Sequence, residues 1–278
     1  MKNFILHHRV RLMLISGMLC CCFELSAGND DIPPGARASG MGGASVIMPG
    51  VWANFGNQAN LALLTRTSIG IHHEFRFGLR ELSATSIAFA KPAANGTFGL
   101  CYSVFGYSGF RQSKAGLSYA LRLFKGIAAG VQLDYLGIFS PDNSRANACT
   151  FELGILADLN KEFKLAVHIF NPANIHYNGK NGEAIPPEIK MGLGYKPIES
   201  LTIIIQTDEK LGGSPVFRAG IEFGLGRILL LRTGISSNPW ENSFGLGIKL
   251  KNVKIDISVR RHPILGFSPA CSIGYEFP

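Results

Sequence analysis

Residues Ser243 to Arg260 read SFGLGIKLKNVKIDISVR and contain two runs in which apolar residues alternate with glycine or polar residues. Successive side chains of a β-strand point to opposite faces, so each run predicts a strand with one apolar face. The pair Lys251-Asn252 separates the two runs and is short enough for a tight turn. This stretch therefore predicts two antiparallel strands joined as a hairpin.

The same alternation recurs from residue 67 to the C-terminus and predicts about fourteen strands of roughly 8 to 12 residues. The predicted connections alternate in length. The short ones are 124–125, 160–161, 197–199, 226–227 and 251–252, and the longer ones include 140–147, 171–187, 209–215, 236–242 and 262–265. Short turns at one end and long loops at the other are typical of transmembrane β-barrels. The chain is thus predicted to be all-β, a transmembrane antiparallel β-barrel, although soluble β-sandwiches and barrels also alternate.

The composition agrees with a wall that faces lipid. Charged residues make up 17% of the chain, whereas soluble domains have about 25%. The chain has 33 glycines and a formal net charge of +8, without a dense Lys/Arg run of the kind that marks a nucleic-acid partner. We therefore expect outer-membrane lipid as the surroundings of the barrel and no nucleic acid as a partner.

The N-terminus has the features of an export signal. Lys2, Arg9 and Arg11 precede an apolar run at residues 12–23, and small residues follow at 26–27. This order is that of a cleaved signal peptide, which we place at residues 1–27. The predicted location is the cell outer membrane, as a multi-pass protein.

Residues 28–66 form a separate segment before the barrel, which we place at 67–278. The segment does not alternate and is rich in glycine, which permits close backbone approach. A loop of this length without regular structure is unusual unless it has a function. We predict that it is a plug in the barrel lumen, and the alternative is a disordered periplasmic tail.

Two blocks in this segment, GARASGMGGASV from Gly35 and WANFGNQANLA from Trp52, resemble the N-terminal signature of the FadL-like outer-membrane barrels. Within that group they are most similar to the PorV/PorQ-like branch, which is associated with type IX secretion. The family pattern is G-x-R-x-x-x-M-G-x-A-x-V followed by N-P-A-x-L-A. Here Gln58 replaces the proline and Asn60 stands where glycine is common. The plug motif comprises Gly35, Arg37, Met41, Gly42, Gly43, Trp52, Asn54 and Asn57.

The resemblance implies a fourteen-stranded barrel with an N-terminal plug. FadL-type members carry hydrophobic compounds such as long-chain fatty acids, whereas PorV-like members shuttle secreted proteins to surface-attachment machinery. The predicted function is passage of small hydrophobic ligands across the outer membrane. The alternatives are a type IX secretion or surface-attachment accessory protein, with secreted proteins as partners, and a structural barrel without transport.

Alternation also assigns charged residues to the inner face of the wall. We predict that they form cross-strand ion pairs that hold wall and plug in register, the alternative being a polar substrate route. They include Glu74, Arg76, Glu152, Arg218, Glu222, Arg232, Lys254, Asp256 and Arg260. The mature chain has no G-x-S-x-G, P-loop, H-E-x-x-H or C-x-x-C motif. We therefore predict no enzyme, no cofactor and no metal site.

Overall fold

The computed structural model describes residues 34–142, 144–179 and 182–278. The predicted signal peptide and residues 28–33 of the predicted plug lie outside these ranges. Within them, no helix is long and apolar enough to span a membrane. The helices are short: α1 at Gly35–Ser39, and 3-10 turns at Val51–Phe55, Gln58–Leu63, Arg76–Gly78 and Arg80–Leu82.

Fourteen strands form one closed barrel in which each strand pairs antiparallel with its neighbours in sequence and β1 pairs with β14. The strands are β1 Ser68–Phe75, β2 Ser83–Ala93, β3 Gly96–Gly106, β4 Arg111–Phe124, β5 Ile127–Phe139, β6 Arg145–Asp158, β7 Phe163–Phe170, β8 Glu188–Ile198, β9 Leu201–Lys210, β10 Val216–Leu225, β11 Leu229–Ser236, β12 Glu241–Leu250, β13 Val253–His262 and β14 Gly266–Glu276. The predicted fourteen-stranded antiparallel barrel is confirmed.

The two faces of the wall differ as the alternation predicts. Outward residues such as Leu133, Ile205 and Phe244 are apolar and about 60% exposed. Inward residues such as Glu74 and Glu152 are buried. Because the apolar outer surface runs around the whole barrel, it far exceeds the patches that soluble monomers expose, and it suits a lipid environment.

The connections sort by length between the two ends of the barrel. At one end, the turn end, they are 94–95, 125–126, 159–162, 199–200, 226–228 and 251–252. At the other, the loop end, they are 76–82, 107–110, 140–144, 171–187, 211–215, 237–240 and 263–265. The predicted loop 140–147 is shorter than expected because β6 already begins at Arg145.

The wall is taller on one side. Strands β4 and β6 have 14 residues each, whereas β7 has 8 and its last pair joins Phe170 to Glu152 of β6. The loop-end part of β6 therefore lacks a neighbouring strand on this side. Loop 171–187 takes that place, since the backbone N–H groups of Asn171 and Asn178 donate to Phe151 O (3.1 Å) and Asn147 O (2.9 Å).

Candidate functional site in the barrel lumen

Residues 34–66, hereafter the N-terminal segment, pack against the inner face of the wall at a set of glycines. At nine of them a Cβ atom would lie 3.1 Å or less from an atom of the segment. These are Gly70, Gly99, Gly130, Gly154, Gly192, Gly194, Gly220, Gly234 and Gly245. They belong to strands from β1 to β12, so the segment touches most of the wall. Glycine here makes room for close backbone approach.

Polar side chains of the wall satisfy backbone groups of this segment. Ser243 Oγ accepts a hydrogen bond from Gly42 N (2.7 Å), and Gln206 Oε1 accepts from Ser45 N (2.8 Å) and Val46 N (2.9 Å). Buried backbone groups need such partners, and the segment has little regular structure of its own to supply them. The wall thus fixes the path of the segment by specific hydrogen bonds.

An ion chain ties the segment to the β10–β13 wall. Arg37 donates through two nitrogens to the two carboxylate oxygens of Glu222, at 2.7 and 2.8 Å. Arg232 donates to Glu222 (2.6 Å) and to Asp256 (2.7 Å). A bidentate pair between a guanidinium and a carboxylate fixes the orientation of the two groups as well as the distance between them. Arg37 is therefore positioned by a network that spans the segment and three strands.

A second buried cluster lies on the β4–β7 wall around Glu152. This carboxylate accepts from Gln58 Nε2 at 2.5 Å, is 2.8 Å from His168 Nε2, and pairs with Lys114. Lys114 Nζ is also 3.6 Å from Asp134. A buried charge is costly unless it is paired, so removal of any one of these charged groups would leave another without its partner. Gln58, which replaces the proline of the family pattern, is the member that comes from the N-terminal segment.

The remaining predicted charges lie in three smaller groups. Glu74 is 2.5 Å from Arg260 and 3.9 Å from Arg76. Arg218 pairs with Asp208 at 2.5 Å and donates to Gly42 O at 3.0 Å. Lys254 pairs with Glu276 near the turn end. The structure places all of the predicted lumen charges in ion pairs, and their stabilising role stays a prediction.

The plug-motif residues lie on the inside of the barrel. The Trp52 ring covers Gly35 and Gly70 and meets His72 edge-on, with ring centroids 5.8 Å apart. Ser118 Oγ donates to Asn54 Oδ1 at 2.6 Å, and Asn57 Nδ2 donates to Ile155 O at 3.1 Å. Met41, Gly42 and Gly43 fill the space beside β10 and β11, where the positive φ of both glycines permits the turn.

Loop 171–187 covers part of the inner face at the loop end. Tyr177 and Ile185 are buried against Leu136, Ala148 and Phe170. Asn171 holds the loop, since its side chain accepts from Thr150 Oγ1 (2.7 Å) and Ile175 N (2.9 Å) and donates to Ile185 O (2.5 Å). Burial raises the pKa of Tyr177 to about 12. A long loop was predicted here, and its buried core went unpredicted.

A small open pocket of about 20 Å³ lies between α1 and the turn Val51–Phe55. It is lined by Pro34, Arg37, Ser45, Met48, Pro49, Trp52 and Ala53. Within the described ranges, no group of three or more His, Cys, Asp or Glu side chains is arranged to hold a metal ion. The cavity is mostly apolar, with one guanidinium at its wall, and its volume has room for about one water molecule.

No family model and no curated protein matches this chain. Solved structures do match. The Pseudomonas putida toluene transporter TodX gives a TM-score of 0.69 at 10% identity, over 90% of this chain and 98% of TodX. The Ralstonia pickettii toluene transporter TbuX gives 0.65 at 12% identity, over 88% and 98%. A Pseudomonas aeruginosa FadL homologue gives 0.63 at 9% identity, over 88% and 98%.

The fold is FadL-like. At these identities the likeness shows the architecture alone, and the PorV-like branch of the sequence resemblance stays a prediction. In this FadL-like barrel, sequence reasoning missed the Glu152 cluster as a unit. Lys114, Asp134 and His168 each alternate with apolar residues and therefore face inward, but only the strand register brings them together with Glu152.

Proposed function

We propose that this protein carries small hydrophobic ligands across the outer membrane, and that the N-terminal segment is the gated plug of the barrel. The observation that carries the proposal is this segment, which packs inside a fourteen-stranded wall and lines a small apolar pocket at Trp52. Proteins named as monoaromatic hydrocarbon channels or toluene transporters share the fold over most of this chain.

The chemistry of the cavity supports a hydrophobic ligand. Its lining is dominated by Met48, Pro49 and Trp52. Because benzene binds in an engineered apolar cavity of about 150 Å³, this pocket of about 20 Å³ has to widen by movement of the segment to admit such a ligand. An aromatic ring face and a thioether offer large contact area without hydrogen-bonding requirements. The guanidinium in the lining, that of Arg37, is hydrogen-bonded to Glu222.

The test is uptake by whole cells that lack other channels of this type. We expect cells that display the full chain to take up radiolabelled toluene faster than vector cells, with no change for a hydrophilic trisaccharide. Pro49→Asp places a carboxylate on an exposed residue of the cavity wall and should slow toluene uptake at equal barrel amount. Toluene uptake no faster than in vector cells would overturn the proposal.

A PorV-type role in protein secretion is the second candidate, and the sequence blocks at Gly35 and Trp52 favour it. It requires a secreted protein that co-purifies with the barrel. A pull-down from the native cell that recovers one secreted protein in stoichiometric amount, together with unchanged toluene uptake, would favour this role over ligand transport.

The domain organisation is part of the proposal: a leader at 1–27, a plug segment at 28–66 and a barrel at 67–278. N-terminal sequencing of the protein from the outer membrane tests the first boundary. We expect the mature chain to begin at Gly28.

A further inference from the structure

The loop end of β4, β5 and β6 carries a distinctive group of residues on the outer surface. Three rows of paired residues lie side by side in the sheet. From the loop end they are Arg111–Phe139–Arg145, Ser113–Gly137–Asn147 and Ala115–Tyr135–Cys149. Paired residues of neighbouring strands point to the same face. Leu117, Leu133 and Leu153 share their alternation and are exposed on the outside, so all nine positions face outward.

The centre of this group is a notch. Gly137 has no side chain, while Ser113 Oγ and Asn147 Oδ1 would lie 3.0 and 3.5 Å from a Cβ atom at that position. Tyr135 donates its hydroxyl hydrogen to Asn147 Oδ1 at 2.9 Å, which leaves the amide nitrogen as the donor that Asn147 offers. Polar groups therefore flank a bare backbone position between two aromatic residues.

Arg111 and Arg145 flank the notch on its loop-end side. Strand spacing of about 4.8 Å places their backbones roughly 10 Å apart, which two long side chains can bridge. The Arg145 guanidinium lies over the Phe139 ring, 5.9 Å from its centre, and both arginines are exposed. A guanidinium fork matches the oxygen geometry of phosphate, so the pair can hold one phosphate between them.

The notch lies directly above the apolar band of the wall. Below it, the outward residues of β5 are apolar down to the turn end: Tyr135, Leu133, Val131, Ala129 and Ile127. Such a band is about 25 Å tall in membrane barrels, and lipid headgroups lie at its edges. The notch is therefore at headgroup level, with a hydrophobic surface beneath it for acyl chains.

We propose that this notch, defined by Arg111, Gly137 and Arg145, binds the phosphate headgroup of an anionic lipid of the outer leaflet. None of its nine positions is acidic. Other exposed charges of the loop end are mixed in sign: Arg80 adjoins Glu81, and Glu209 and Arg261 are both exposed. The nearest acid along the chain, Asp142, accepts a hydrogen bond from Ser144 N. The site is independent of what the lumen conducts.

The experiment uses the full chain, refolded in neutral detergent, and native mass spectrometry of the lipid that it retains. The probes are lipid A, a diphosphorylated glycolipid, and the same lipid after enzymatic removal of its phosphates. We expect Arg111→Gln combined with Arg145→Gln to weaken lipid A retention by about tenfold, since charge-assisted hydrogen bonds are lost. The matched control, Arg80→Gln with Arg261→Gln, removes the same charge outside the notch and should retain lipid A like the wild type.

A second variant keeps both arginines and fills the notch. Gly137→Val suits a strand and should also weaken retention, and it carries the test if the double arginine variant fails to fold. Equal retention of the dephosphorylated lipid would overturn the proposal, as would equal losses in the control pair. Inorganic phosphate that binds as tightly as lipid A would mean that the notch is a free-anion site and would overturn the lipid assignment.

Discussion

The N-terminal segment and loop 171–187 both bring buried side chains to the inside of the wall, but they are held by different means. The segment lies against nine inward glycines and reaches ion clusters on both sides of the barrel through Arg37 and Gln58. The loop contacts mainly the β5–β7 wall, through an apolar cluster around Ile185 and the hydrogen bonds of Asn171. The N-terminal segment is thus attached around most of the barrel wall, whereas loop 171–187 is attached to one side of it.

This difference indicates which of the two can move alone. A loop held at one side of the wall, by the hydrogen bonds of Asn171 and Asn178 and a small apolar cluster, can open at low cost, whereas the segment leaves buried charges behind when it moves. We infer that opening from the loop end requires less free energy than displacement of the segment. The predictions below test that ranking, from the largest expected effect to the smallest.

Deletion of residues 34–60 should have the largest effect. It removes the packing at the nine glycines, so water can enter the lumen, while the strand ladders stay intact. We expect the full chain to be silent in planar bilayers and the deletion variant to conduct, with heat-modifiable migration showing that both are folded. If both are silent while folded, the segment does not close the lumen.

Glu222→Ala should destabilise the segment next most. The change leaves Arg37 and Arg232 without their shared carboxylate, and breaking a buried pair costs about 3–5 kcal/mol. The reporter is Trp52 fluorescence during urea unfolding in a Trp240→Phe background, which leaves it as the only tryptophan of the two in the chain. The control is Glu199→Ala in an exposed turn. Equal midpoints would show that the ion chain contributes nothing to docking.

Gly220→Val should act through volume alone. A Cβ at Gly220 would lie 2.6 Å from Met41, whereas one at Gly224, on the same face of β10, would have its nearest atom at 3.7 Å. Overpacking typically costs about 1–3 kcal/mol, so Gly220→Val should lower the free energy of unfolding and Gly224→Val should lower it less. Similar losses in both variants would point to strand propensity as the cause.

Asn171→Gly should affect the loop and leave the barrel nearly unchanged. It removes the side-chain hydrogen bonds while glycine accepts the positive φ of this position. Each hydrogen bond contributes about 0.5–1.5 kcal/mol net, and the loss is confined to local opening. Hydrogen exchange at the Tyr177 amide, which donates to Glu183 O, should accelerate, and Asn174→Gly, also at positive φ but exposed, should not change it. Faster exchange throughout β7 and β8 would contradict a one-sided attachment.

Period-two alternation in the sequence predicted the strands and the direction in which their side chains face. It did not predict contacts that depend on the register between strands. It predicted the inward position of residues such as Glu152, because one face must meet lipid and the other must not. It did not predict that Gly194 meets Ile47, or that Lys114 meets Glu152 across two strand pairings. Those contacts depend on the closure of the sheet, which no local pattern encodes.

The loop 171–187 shows the same limit. Its residues have no period, so Tyr177 and Ile185 gave no signal of burial, and the neighbours that bury them lie on β5, β6 and β7. The early end of β7 at Phe170 is what creates the space for the loop. A strand boundary is set by pairing with neighbours, and this one could not be read from the residues alone.

The nine glycines have a consequence for how this chain can change over generations. A side chain at Gly194 would overlap Ile47, and one at Gly220 would overlap Met41. A larger residue in the wall is therefore tolerated only when the facing residue of the segment becomes smaller. A substitution that enlarges only one of the two facing residues destabilises the packing, whereas a compensating pair of substitutions preserves it. Among descendants of this sequence, substitutions at these wall glycines should therefore accompany substitutions at the segment residues that face them.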